Sequence, residues 1–176
     1  MATFEKVQSF RALWDTEAQR WHMADAKHVV ALCDGAPWTW NTVAECCPEH
    51  TIELLDFYHA SEHLWTLARA LWGDGAVRAP QWVEEQKTRL LEGDLDAFFD
   101  ELKRWTAMDA YAEAAGEQLR YFESNRNRLG YAGALERGDP IGSGMVEAAC
   151  KTIVCVRQKQ PGTFRRRMMA RTTQAA

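Results

Sequence analysis

The sequence predicts an α/β fold: one parallel βαβ unit followed by a long all-helical stretch. Three observations carry that expectation. Two short apolar runs, HVVALCDG (28–35) and TIELLDFYH (51–59), flank a helical segment. Strand, helix and strand within about thirty residues form a unit whose strands run parallel through a right-handed crossover. Residues 79–129 place their apolar side chains at helical rather than alternating spacing. The chain has 176 residues, 47% apolar and 26% charged, enough for one domain with a real core and too apolar for a disordered chain.

Residues 4–22 read as an amphipathic helix, with Phe10, Leu13, Trp14 and Trp21 recurring at helical spacing. HVVALCDG reads as a buried strand closed by Asp34-Gly35. APWTWNTVAECC (36–47) reads as a helix with Pro37 in its first turn, ended by Pro48. TIELLDFYH reads as the second strand, and from Ala60 to Trp72 the pattern turns helical, with Leu64, Leu67, Ala68 and Leu71 on one face. Pro80 can open a helix that Gly93 ends. Asp94 can cap the next, whose stripe is Leu95, Phe98, Phe99, Leu102 and Trp105, residues expected in the core. Ala112 to Leu129 continues as helix, GALERGDPIGSG (133–144) reads as a glycine-rich break, and Ser143 suits the N-cap of a last helix, MVEAACKTIVCV.

Composition narrows the function classes. No apolar run reaches the roughly 18 residues a membrane span requires, and MATFEKVQSF lacks the layout of a signal peptide, so a cytoplasmic protein without a membrane role is expected. Five cysteines in no framework spacing, with no C-x-x-C, point to reduced thiols and away from a thiolate zinc site. The net charge of −4 conceals an asymmetry. From Lys151 onward there are seven basic residues and no acidic ones, which leaves 14 basic against 25 acidic residues before it. A basic tail on an acidic body suggests contact with phosphates, or else a solvated terminus.

The candidate chemistry centres on acids at strand ends. Parallel strands finish on the same edge of a sheet, so Asp34 and Asp56 are both expected at the carboxyl edge, where open α/β sheets carry their chemistry. Two acids there suit a hard divalent cation, since Mg²⁺ takes carboxylates together with phosphate oxygens. An Asp before Gly is also an ordinary turn residue. LDFYHASEH (55–63) admits other readings. Asp56, His59 and His63 have the types and the i, i+4 histidine spacing of a zinc site, yet lack the glutamate of H-E-x-x-H. Alternatively Asp56 caps the following helix and the histidines are surface residues. Glu147 is either a third acid or half of a helical ion pair with Lys151, worth about 0.3–0.5 kcal/mol. The glycines before it do not form a P-loop.

Three blocks together carry a family resemblance: VVALCDGAPWTWN (29–41), IELLDFYHASEHLW (52–65), and NRNRLGY (125–131) with IGSGMVEAACKTIV (141–154). From about residue 4 to about residue 162 the chain resembles bacterial insertion-sequence transposases of the ISKra type, relatives of the Mutator-like group with a DDE active site. The resemblance implies a partial ribonuclease H-like fold, with residues 1–59 as an N-terminal helix plus the βαβ part of the core. It makes residues 60–135 a helical insertion and 136–162 the last core helix carrying Glu147; past the resemblance, 163–176 is a basic tail expected to be disordered. It implies DNA transposition by metal-dependent cleavage and strand transfer. Asp34 and Glu147 would be catalytic acids and ligands of Mg²⁺ or Mn²⁺, and Asp56 and His59 a D-x-x-H signature near the active site. Lys151, Arg157 and Lys159 would contact DNA at the element's ends, in a possible homo-oligomer. The family's first catalytic Asp, on a strand before the first helix, has no counterpart here. The chain is therefore expected to be an N-terminally truncated, inactive transposase. The rival expectations are a non-catalytic DNA-binding remnant and an unrelated metal-dependent hydrolase using Asp56, His59 and His63.

Overall fold

In a computed structural model that describes residues 4–144, helix α1 (Phe4–Arg20) leads through a short 3-10 turn at Met23–Asp25 into strand β1 (Val30–Cys33). Helix α2 (Pro37–Cys46) then crosses to strand β2 (Ile52–Leu55). The two strands pair in parallel with Val30 opposite Ile52 and Cys33 opposite Leu55, so the expected βαβ unit is present. Among the described residues the sheet has these two strands. The rest is helical: α3 (Phe57–Trp72), α4 (Arg78–Glu92), α5 (Leu95–Thr106), α6 (Ala112–Ser124) and α7 (Tyr131–Arg137). The fold is α/β and mostly helix. No helix among the described residues is long and apolar enough to cross a membrane.

Several boundaries differ from the sequence reading, each for a local reason. The second strand stops at Leu55, not at residue 59, because Asp56 caps a helix at once. Its Oδ1 accepts the backbone N–H of Tyr58 at 2.8 Å and of His59 at 3.3 Å, two of the donors a helix start leaves unpaired. His59 therefore lies on α3. Helix α6 ends at Ser124, not at Leu129, because Asn125 turns its side-chain amide back onto the Tyr121 carbonyl at 3.0 Å. The segment read as a glycine-rich break begins with a helix, α7, which Gly138 closes at φ 76°. The last helix and the basic tail of the sequence reading fall outside the described residues.

The helices pack on a common core. Helix α3 buries Leu64, Leu67, Ala68 and Leu71, the face its spacing predicts. Asp94 caps α5 through the Ala97 N–H, and Phe98, Phe99, Leu102 and Trp105 are buried as the stripe requires. Phe98 meets Phe122 of α6 edge-on at 4.9 Å, an arrangement aromatic quadrupoles favour.

Glu101 is the notable charge in this layer. Its side chain is 13% exposed, and its Oε1 accepts the indole N–H of Trp82 at 2.9 Å and of Trp105 at 2.8 Å, and Arg104 at 2.8 Å. Burial pushes the carboxyl upward, but the two indoles and the guanidinium outweigh it and hold it below the usual glutamate value. A group depressed on folding stabilises the fold above its unfolded pKa, near about 4.3, and that stability is lost as pH falls through the lower folded value. Urea midpoints should therefore drop on acidification below about pH 4.3, and Glu101→Gln should flatten that part of the profile. An unchanged acid limb in Glu101→Gln would show that the indoles gain nothing from the charge.

Candidate functional site

The register places Asp34 and Asp56 side by side, each one residue past the paired ends Cys33 and Leu55. The Asp56 N–H donates to the Cys33 carbonyl at 2.8 Å, which carries the ladder up to the two acids. The carboxyl-edge expectation thus holds for both residues. Their environments differ.

Asp34 is exposed. Its Oδ1 accepts the Ala36 N–H at 3.0 Å and the Thr39 hydroxyl at 3.4 Å, which fixes the turn into α2. Its Oδ2 has no hydrogen bond among the described residues. Asp56 is 2% exposed, and both of its oxygens are engaged. Besides the two helix amides on Oδ1, Oδ2 accepts the Ser143 N–H at 2.7 Å. The Phe57 N–H donates to the Ile141 carbonyl at 3.0 Å. Residues 141–143 are thereby fastened along the start of α3. A Cβ on Gly142 would come within 2.8 Å of the Tyr58 ring, so glycine permits the close approach. Gly142 and Ser143 therefore pack against the D-x-x-H segment.

The histidines diverge from Asp56. His59 Nδ1 lies 3.1 Å from Glu62 Oε2. His63 Nδ1 lies 2.6 Å from Gln118 Oε1, and its ring stacks on Tyr121 with centroids 3.5 Å apart. Among the described residues, no group of three or more His, Cys, Asp or Glu side chains is placed to hold a metal ion. Asp34 is the described carboxylate with a free oxygen at this edge, and Asp56 is committed to amides. Glu147, Lys151, Arg157 and Lys159 lie outside the described residues.

Helix α6, the turn after it and the start of α7 brace the edge. The Tyr121 hydroxyl donates to the Asp34 carbonyl at 2.9 Å, and the buried Tyr131 hydroxyl donates to the Leu55 carbonyl at 2.9 Å. Burial pushes both phenols well above their usual range, and the neighbouring carboxylates add to the effect for Tyr121, so both remain protonated donors. Asn125 accepts the Trp40 indole N–H at 2.9 Å, and Arg128 stacks on Trp40 while pairing with Glu53 at 2.6 Å. NRNRLGY carries part of the family resemblance, but its spacing does not disclose this bracing role. Nothing in the spacing singled out Tyr121. Burial also raises the Cys33 thiol beside Asp34 to about 11, with the Thr39 hydrogen bond opposing. Cys33, Cys46 and Cys47 are free thiols.

Compared with family models, with curated proteins and with solved structures, the chain matches none.

Proposed function

We propose that this chain carries part of the catalytic core of a DDE transposase, whose parent reaction is metal-dependent DNA cleavage and strand transfer. One observation supports the reading above the others. Residues from all three blocks that resemble the ISKra-type enzymes lie at one sheet edge: Asp34 from the first, Asp56 from the second, Asn125, Tyr131 and Ser143 from the third. In this reading residues 60–135 are the helical insertion of a ribonuclease H-like core. Asp34, with its uncommitted oxygen, and Glu147 hold Mg²⁺ or Mn²⁺. Asp56, its oxygens occupied, is a positioning residue, and His59 belongs to the same signature. Bound metal would activate the attacking oxygen and stabilise the leaving one. Lys151, Arg157 and Lys159 neutralise DNA phosphates.

Titration with Mn²⁺ tests the assignment. Binding that Asp34→Asn and Glu147→Gln each weaken by at least about tenfold, and that His63→Ala leaves unchanged, supports it. Zinc binding that depends on His59 and His63 would instead indicate the hydrolase reading. Salt-sensitive duplex binding without any Mn²⁺ site would leave the DNA-binding remnant.

A further inference from the structure

The sequence around Asp34 leaves one backbone group without the partner a turn ordinarily gives it. In a hydrogen-bonded turn over DGAP (34–37), the Asp34 carbonyl would accept the N–H three positions on, but that residue is Pro37 and has none. Among the described residues no other backbone N–H reaches this carbonyl, and the Gly35 N–H at the far side of the same peptide has no partner either. Gly35 stands at φ +92°, and glycine takes positive and negative φ with nearly equal ease. The local sequence therefore does not decide which way the Asp34–Gly35 peptide faces. The Tyr121 hydroxyl decides it from 87 positions away, donating to the carbonyl at 2.9 Å. Its ring lies over the same place, since a Cβ on Gly35 would come within 2.9 Å of it. The carboxylate moves with that peptide, because Oδ1 is tied forward to the Ala36 N–H at 3.0 Å.

We propose that Tyr121 is the positioning residue of the Asp34 carboxylate: it fixes the one turn conformation in which Asp34 presents its uncommitted oxygen to a divalent cation. This rests on the metal assignment made above. The effect is one of selection. A turn that samples two peptide orientations binds a cation in one of them, so the apparent affinity falls with the fraction in that orientation. Tyr131 supplies the contrast. Its hydroxyl donates to the Leu55 carbonyl at the other strand end, also at 2.9 Å. The Leu55–Asp56 peptide has no such freedom. Its N–H is held by the Cys33 carbonyl at 2.8 Å, and Asp56 sits at φ −60° with both carboxylate oxygens on backbone amides. The two phenols make the same bond, and only that of Tyr121 controls a conformation.

Tyr121→Phe and Tyr131→Phe in the full chain separate the two roles. Mn²⁺ affinity is one readout, and hydrogen exchange at the Ala36 amide, which needs no metal, is the other. Tyr121→Phe keeps the ring, and should weaken Mn²⁺ binding and speed Ala36 exchange by about fivefold each. Tyr131→Phe should lower the urea midpoint and leave both readouts as in the parent. Parent-like Mn²⁺ affinity or a parent-like Ala36 amide in Tyr121→Phe would overturn the proposal. Equal losses in the two variants would also overturn it, by reducing Tyr121 to a brace. A parent chain that takes no Mn²⁺, or takes it regardless of Asp34→Asn, overturns the metal assignment instead, and the Ala36 amide then decides by itself whether Tyr121 orients Asp34.

Discussion

Gly35→Ala should cost about 3 kcal/mol of stability, read as a lowered urea midpoint. Two independent penalties combine. Gly35 has φ +92°, a conformation L-residues avoid at a cost of roughly 1–2 kcal/mol. A Cβ there would also lie 2.9 Å from Leu55 Cδ1, 2.9 Å from the Tyr121 ring and 3.1 Å from the Asn125 amide nitrogen. Crowding of that kind costs about 1–3 kcal/mol, because both strands and α6 meet at this point and none can withdraw freely. Gly138 isolates the first penalty. It is left-handed at φ 76° and ψ 22°, but no atom lies within 4 Å of its would-be Cβ. Gly138→Ala should therefore cost only about 1 kcal/mol. If the two substitutions cost the same, the packing of Tyr121 and Asn125 over the Asp34 turn contributes nothing. The larger loss for Gly35 should also disturb Asp34, whose carbonyl is the acceptor for Tyr121.

The contrast shows what the sequence could and could not disclose. The parallel pair was legible because its signals are local: two apolar runs, a helix between them, and an Asp at each end. So was the α5 stripe with its Asp94 cap, since spacing and capping act within one or two turns. The bracing contacts were not legible, because each joins residues far apart in sequence. Tyr121 reaches back 87 positions to Asp34, Tyr131 reaches 76 to Leu55, and Asn125 reaches 85 to Trp40. Nothing in a tyrosine or an asparagine at helical spacing states which distant carbonyl or indole it will meet. The ends of β2 and α6 were misjudged for a related reason. Asp56 and Asn125 decide them through side chain-to-backbone bonds, which compete with the regular pattern that periodicity reads.

Asp56→Ala should destabilise the chain by about 3–4 kcal/mol, the larger effect of the two strand-end acids. Three backbone N–H groups lose their acceptor: Tyr58, His59 and Ser143. Loss of an N-cap typically costs about 1 kcal/mol, and each hydrogen bond to a charged group about 1.5–3 kcal/mol. Asp94 supplies the reference, since it caps α5 through one amide at 3.3 Å, so Asp94→Ala should cost about 1 kcal/mol. Asp56→Asn divides the role in two. Its remaining oxygen can still cap α3, but its amide nitrogen would face the Ser143 N–H, donor against donor. The asparagine variant should recover the helix start and leave Ser143 unfastened, seen as fast amide exchange at Ser143 with protected amides at Tyr58 and His59. Asp34→Asn, at an exposed turn, should change stability by less than about 1 kcal/mol. An Asp56→Asn chain as stable as the parent, with Ser143 still protected, would show that the buried charge does not hold residues 141–143. Should the predicted split appear, Asp56 acts on two segments at once, capping α3 with one oxygen and fastening Ser143 with the other.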